Sequence, residues 1–187
     1  MKILTTHADF IEFQALSKAL KTAEEVSMDK KRVDECLVVF SSIEDGDTQE
    51  VVEQAKAEIV KIAKQVKADK LVIYPFVHLS SKPAKPDVAL TFLKEMEKIE
   101  GYQVSRAPFG WYKSFNLKVK GHPLSELSRT FDPSIKGPEK EVISDSLKAE
   151  ETLTSKLYVL TPDGETVEID KFDFTGKDNL KKMVEYE

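Results

Sequence analysis

The sequence predicts an α/β fold built as α+β layers, with a mixed sheet, flanking helices and a small C-terminal hairpin/helix appendage. Three observations predict it. Continuous β-branched and aromatic runs, CLVVF within Glu35–Ile43 and KLVIYPF at Lys70–Phe76, have the composition of strands buried on both sides. Each is followed by a stretch with apolar residues at helical spacing. Strand and helix patterns alternate in this way through Arg129, which is the signature of sheet and helix layers sharing a core.

Taken in order, Met1–Thr5 reads as a short apolar strand and Phe10–Ala15 as a second one. After the Glu35–Ile43 strand, Asp47 and Glu50 have the spacing of a capping box. Val52, Ala55, Ile59, Ile62, Ala63 and Val66 then repeat on one helical face, predicting a helix over Asp47–Val66. Pro75 falls near the end of the Lys70–Phe76 strand, where a missing amide donor does least harm. The loop HLSSKPAK leads into a helix over Pro86–Glu100, with proline in its first turn and Ala89, Phe92, Leu93 and Met96 inward. Tyr102–Ala107 and Trp111–Val119 are the next strands.

Past Arg129 the character changes. Residues 131–154 are polar, carry Pro133, Gly137 and Pro138, and read as a linker between a domain over 1–130 and a segment over 155–187. That segment holds a hairpin, KLYVLTPDGETVEI, turning at Pro162-Asp163-Gly164. The closing KDNLKKMVEYE is helix-like and lacks a stop signal, as expected of part of a longer chain.

Composition narrows the function classes. The 187 residues are 41% hydrophobic and 33% charged, enough to bury a core and to solvate a surface. A net charge of −5 argues against a freestanding nucleic-acid binder held by a broad basic patch. It still allows a module that touches one end of an RNA while other domains supply phosphate contacts. Cys36 is the only cysteine, so no internal disulfide and no cysteine zinc site is possible, and a reducing, cytoplasmic setting is expected. No apolar run approaches ~18 residues, so no membrane partner is expected. The start, MKILTTHADF, lacks a secretory pattern.

The stretch GWYKSFNLKVKGHP carries the sharpest anomaly. With a period of two, its inner face is Trp111, Lys113, Phe115, Leu117 and Val119. One lysine stands among four apolar residues. Either its head snorkels to water at a strand edge, or it lies in a pocket mouth where it holds an oxyanion or a water and its pKa falls. His78 ends a buried strand before a Ser-Ser loop, a position where α/β folds place sites and also structural hydrogen bonds. His7 and His122 make no metal-ligand spacing with anything, and no metal is expected. Glu126 is either a charge on a helix surface or a partner for Lys113. No GxSxG accompanies any serine, histidine and aspartate, and there is no P-loop.

Two segments, YPFVHLSSKPAKP (Tyr74–Pro86) and APFGWYKSFNLKVKGHPLSELSR (Ala107–Arg129), together with the opening KILTTHADFIEF, resemble the N-terminal editing domain of archaeal-type threonyl-tRNA synthetases. The resemblance runs from Met1 to Arg129, and the tail is more weakly similar to the connection into the synthetase body. It implies a D-aminoacyl-tRNA deacylase-like fold, a homodimer, and hydrolysis of L-serine mischarged onto threonine tRNA at its 3′-terminal adenosine, with no cofactor. It implies functional roles for Lys113, His78 and Glu126. Tyr112 and Pro108, with the adjoining Phe109 and Gly110, would line the site, and Ile43 and Val77 would shape the substrate pocket, partly through backbone. Val77 and Val119 depart from the alanine and cysteine common in relatives, and the first change bears on the size of that pocket.

The implied chemistry is physically reasonable. Serine and threonine differ by one methyl group, which binding alone discriminates only ~10–200-fold, so a second hydrolytic site is useful. A broader D-aminoacyl-tRNA deacylase and a non-catalytic docking or dimerisation module are the competing readings. Aminoacylation is not expected of this chain, since no ATP-site motif or zinc site is present. With net −5, most tRNA affinity is expected to come from the remainder of the synthetase.

Overall fold

The computed structural model describes residues 1–132 and 157–186. Two compact units result, Met1–Glu141 and Val142–Glu187. The first is built on one mixed sheet in the order β4-β3-β2-β1-β5, with β6 also pairing β1. Its strands are β1 (Lys2–Lys18), β2 (Lys31–Ser42), β3 (Lys70–Pro75), β4 (Gln103–Arg106), β5 (Trp111–Val119) and β6 (Glu126–Thr130). Helix α1 (Gln49–Val66) joins β2 to β3, and α2 (Pro86–Met96) joins β3 to β4. Both joined pairs are parallel, whereas β1 runs antiparallel to β2, β5 and β6. Right-handed crossovers that advance the same way place both helices on one face.

The burial pattern shows that division. Leu37, Val39, Leu71 and Ile73 point to the helix side and pack with Ile59, Ile62, Leu93 and Met96. Their alternates Cys36, Val38, Phe40, Val72 and Tyr74 point to the other face, in a cluster that contains no helix residue. Strands buried on both sides must read as unbroken apolar runs, which is why CLVVF and LVIY do.

Among the described residues no α-helix covers the second face; the sheet covers it by curling. Strand β1 is 17 residues long and has register shifts against β5 at Ala8/Phe10 and Ala15/Ser17. Such bulges bend and twist a strand. The far half of β1 and its partner β5 fold back, so that Phe13 and Phe115 reach Tyr74 with ring centroids 5.9 and 5.5 Å apart. Phe115 also lies 5.9 Å from Phe40.

Several expectations are corrected. The two short strands expected at Met1–Thr5 and Phe10–Ala15 are one, because β1 changes neighbour from β6 to β5 without leaving β2. Thr48, not Asp47, caps α1, accepting from the Val51 amide at 3.4 Å. Asp47 instead takes the Met1 ammonium at 2.6 Å and the Glu44 amide at 2.7 Å. Helix α2 ends at Met96, short of Glu100. Glu126 lies on a strand, β6, and not on a helix.

In the second unit, β7 (Tyr158–Leu160) and β8 (Thr166–Glu168) form the expected hairpin, with Gly164 at φ 83° in its turn. Helix α3 (Asp178–Tyr186) follows. Of the linker expected over 131–154, only Phe131 and Asp132 are within the described residues. Phe131 is buried, and its amide donates to the Met1 carbonyl at 2.8 Å.

Candidate functional site

Lys113 lies on the helix-free face, opposite Ala15 of β1 and beside the buried rings. Its ammonium donates to the carbonyls of Pro108 at 2.9 Å and Trp111 at 3.2 Å. It also stands 5.2 Å from the centre of the Tyr74 ring, within cation–π range. Among the described residues no carboxylate partners it. Burial first, and the Arg106 charge second, pull its pKa down to about 8. An ammonium has three N–H donors, and two are occupied by the carbonyls. The third is left for a ligand.

The two carbonyls belong to a tight turn, and the segment before β2 holds that turn. Gly110 has φ 78°, a conformation that glycine adopts without strain. Its carbonyl accepts from Ala19 at 2.8 Å and Leu20 at 3.1 Å. A Cβ on it would meet the Ala23 Cα at 3.0 Å. Glu24 receives the Arg106 guanidinium on both carboxylate oxygens, at 2.6 and 2.8 Å, and the Phe109 amide at 3.2 Å. The Glu24 carbonyl accepts from the Trp111 indole at 2.8 Å. Arg106 donates its Nε to Glu97, just past α2, at 2.7 Å. The Arg106 pairing, followed by the Phe109 amide bond, holds the Glu24 carboxyl below its ordinary pKa.

His78 is exposed on the 3-10 turn Val77–Leu79 that follows β3. Its ring meets the edge of Phe76 at 5.3 Å, and Phe76 contacts Phe40 at 5.3 Å and Tyr74 at 6.5 Å. The Tyr74 ring therefore neighbours Lys113 and Phe76, and Phe76 in turn contacts His78. Burial raises the Tyr74 phenol to about 12, so it stays neutral beside the lysine.

The remaining candidates scatter. Pro108, Phe109 and Gly110 form the turn around Lys113. Val77 is 51% exposed on the His78 turn. Tyr112 is 65% exposed and, one residue from Lys113 on a strand, points to the opposite side of the sheet. Ile43 buries its side chain in the helix-side core, and its carbonyl accepts from Ala84 at 3.0 Å. Glu126 pairs with Thr6 in the other half of β1, is exposed, and makes no contact with Lys113.

A separate hollow of about 650 Å³ is lined by Asp45, Ser81, Lys82, Pro83 and Lys85, none of them part of the Lys113 cradle. Among the described residues, no group of three or more His, Cys, Asp or Glu side chains is arranged to hold a metal. No helix is long and apolar enough to cross a membrane.

Sequence reasoning missed Glu24, Arg106 and the ring cluster of Tyr74, Phe76 and Phe115. An arginine closing a short strand was a weak available signal. Glu24 carried none, since its partner lies 82 residues away.

Residues 1–131 match the archaea-specific editing domain of threonyl-tRNA synthetase. The chain belongs to that family. A threonine–tRNA ligase of Thermococcus gammatolerans is 52% identical over the whole of this chain and 31% of its own length. That of Pyrococcus horikoshii is 49% identical over the same shares, and that of Methanococcoides burtonii 44% identical over 32% of its length. The chain thus spans about a third of the length of these curated relatives. A solved structure, the c-Myc DNA unwinding element binding protein, superposes with a TM-score of 0.52 at 12% identity. It covers 72% of this chain and 100% of its own, a likeness of fold alone.

Proposed function

We propose that this domain proofreads for a threonyl-tRNA synthetase by hydrolysing L-serine mischarged onto threonine tRNA. The observation that carries the reading is the Lys113 ammonium, anchored by two carbonyls and, among the described residues, paired with no carboxylate, with one donor to spare. Water adds to the ester carbonyl, and the tetrahedral oxyanion forms beside that donor. The oxyanion collapses, the ribose oxygen of the terminal adenosine leaves and takes a proton, and serine and free tRNA result. One preorganised donor of this kind contributes about 10²–10³ in rate.

The pKa of about 8 leaves Lys113 mostly charged at pH 7, which favours an electrostatic role. His78, exposed on the neighbouring turn, orients the substrate or the water. The 3′-terminal adenosine and the remainder of the synthetase are the partners in this reading. A homodimer belongs to it as well, supported by the outer edge of β5, which no described strand pairs and which carries the exposed Phe115 and Tyr112.

The test is release of serine against threonine from charged threonine tRNA, by wild type and by Lys113→Met. Wild type should release serine much faster than threonine, and the variant should fold but lose about 10²–10³ in rate. The ammonium-dependent part of the wild-type rate should fade as pH rises through about 8. Equal inertness of both proteins on authentic substrate would defeat the catalytic reading. D-seryl-tRNA cleaved as readily as L-seryl-tRNA would replace it with the broader deacylase.

A further inference from the structure

We infer that Arg106 is a positioning residue for Lys113, acting through the Glu24 clamp that fixes the Pro108–Trp111 turn. This inference rests on the proposed function only for its kinetic readout.

The geometry is a closed circuit. Arg106 ends β4, is only 10% exposed at its side chain, and spends its guanidinium on Glu24 and Glu97. Glu24, so fixed, holds the Phe109 amide with its carboxylate and the Trp111 indole with its carbonyl. Ala19 and Leu20 hold the Gly110 carbonyl between those two points. Every residue from Phe109 to Trp111 is therefore tied to the segment 19–24. The carbonyls of Pro108 and Trp111 flank that tied stretch, and they are the two acceptors of the Lys113 ammonium. Without Arg106, Glu24 would keep only the weaker charge of Lys94 and no hydrogen-bonded cation, and the turn would lose its fixed point.

Charge acts along the same path. The groups facing the ammonium are the two carbonyls, the Tyr74 phenol from β3 and the Arg106 charge at the end of β4. Glu24 and Glu97 are engaged by Arg106 itself. Removing the guanidinium lifts a repulsion and loosens the turn, and both changes move Lys113 toward an ordinary lysine. Lysine at this position retains the charge but cannot make the bidentate bond. Arg106→Gln and Arg106→Lys thus separate charge from geometry.

The experiment uses the full chain with labelled lysine side chains. The Lys113 resonance is assigned by its loss in Lys113→Arg and titrated by NMR. Serine release from seryl-tRNA is followed across pH. In Arg106→Gln the Lys113 titration should rise by about one pH unit. Its kcat should fall about tenfold to a hundredfold with KM little changed, the pattern of a misplaced catalytic group. In Arg106→Lys, which keeps the charge and loses only the bidentate hold, the titration should rise less than in Arg106→Gln while kcat still falls. A folded Arg106→Gln with an unmoved Lys113 titration overturns the inference. So does wild-type kcat in Arg106→Lys, which decides the matter alone if Arg106→Gln does not fold. If wild type itself releases no amino acid, the editing reading fails, and the NMR titration still decides the role of Arg106.

Discussion

The two faces of the main sheet are buried by different means. On one, aliphatic side chains of β2 and β3 meet those of α1 and α2, and Leu37, Ile59, Ile62, Leu71 and Ile73 are fully enclosed. On the other, the sheet's own far corner curls back, and the filling mixes small and aliphatic side chains with the rings of Phe13, Phe40 and Tyr74, with Lys113 and Phe115 beside them. A helix laid along a face closes it for its whole length. A curled sheet closes its middle and leaves a rim, and at that rim a lysine can be half-buried without being sealed. The difference teaches where chemistry is possible. At the open rim turn carbonyls and a lysine converge beside the rings, while the packed helix side serves stability.

The largest effect that sharpens this contrast is on the helix side. Ile62 is fully buried beneath α1, and Ile62→Ala should cost about 2–5 kcal/mol. Chemical denaturation reads the loss. Serine release per folded molecule should be unchanged, because no group of the Lys113 cradle touches α1. A fall in rate matching the fall in stability would mean that the two faces are mechanically one.

How much of this contrast the sequence displayed follows from how each element is buried. Strands β2 and β3 were legible because burial on both sides leaves no polar position to confuse the pattern. Lys113 was legible as an anomaly because the alternation around it is regular. Strand β1 was not legible as one element. Its middle, Thr5 to Asp9, looks like a break, yet three of its four polar residues have partners that only the tertiary structure supplies, while the buried Thr6 hydroxyl has none among the described residues. Thr5 donates to the Leu127 carbonyl at 3.2 Å, His7 pairs with His122 at 2.7 Å, and Asp9 binds Lys120 at 2.7 Å. β6 was hidden for a related reason: with five residues and one neighbour, it has too short an alternation to stand out. Glu24 was invisible, and the Arg106–Glu24 pairing with it, because a contact between distant residues leaves no local period.

A second effect has the opposite sign. A lysine near pKa 8 in the fold and near ~10.4 unfolded makes the charged form costly to bury, by roughly 2–3 kcal/mol. Below pH 8 both states carry the proton and the whole cost is present. Between pH 8 and about 10.4 the unfolded chain binds more protons, so stability rises with pH. Lys113→Met removes the titration. The variant should therefore be more stable than wild type at pH 7, and the gap should narrow above pH 8, as followed by denaturant midpoints across pH. A constant gap would mean that the ammonium is well solvated and the rim is open water.

The smallest effect is the most local. Gly110 sits at φ 78° with the backbone of Ala23 against it, so Gly110→Ala combines a left-handed alanine with a contact at 3.0 Å. The conformational part costs about 1–2 kcal/mol. The contact adds displacement more than energy, because the segment 19–24 is irregular and gives way more easily than a sheet would. That displacement moves the acceptors of Lys113, since the Gly110 carbonyl is where Ala19 and Leu20 hold the turn. Amide exchange should speed up over residues 19–24 and 107–113 while α1 and β3 keep wild-type protection, and serine release should fall more than the stability loss explains. Equal loosening of α1 would show that the rim and the helix side open together, and the division between a face for stability and a rim for chemistry would be lost.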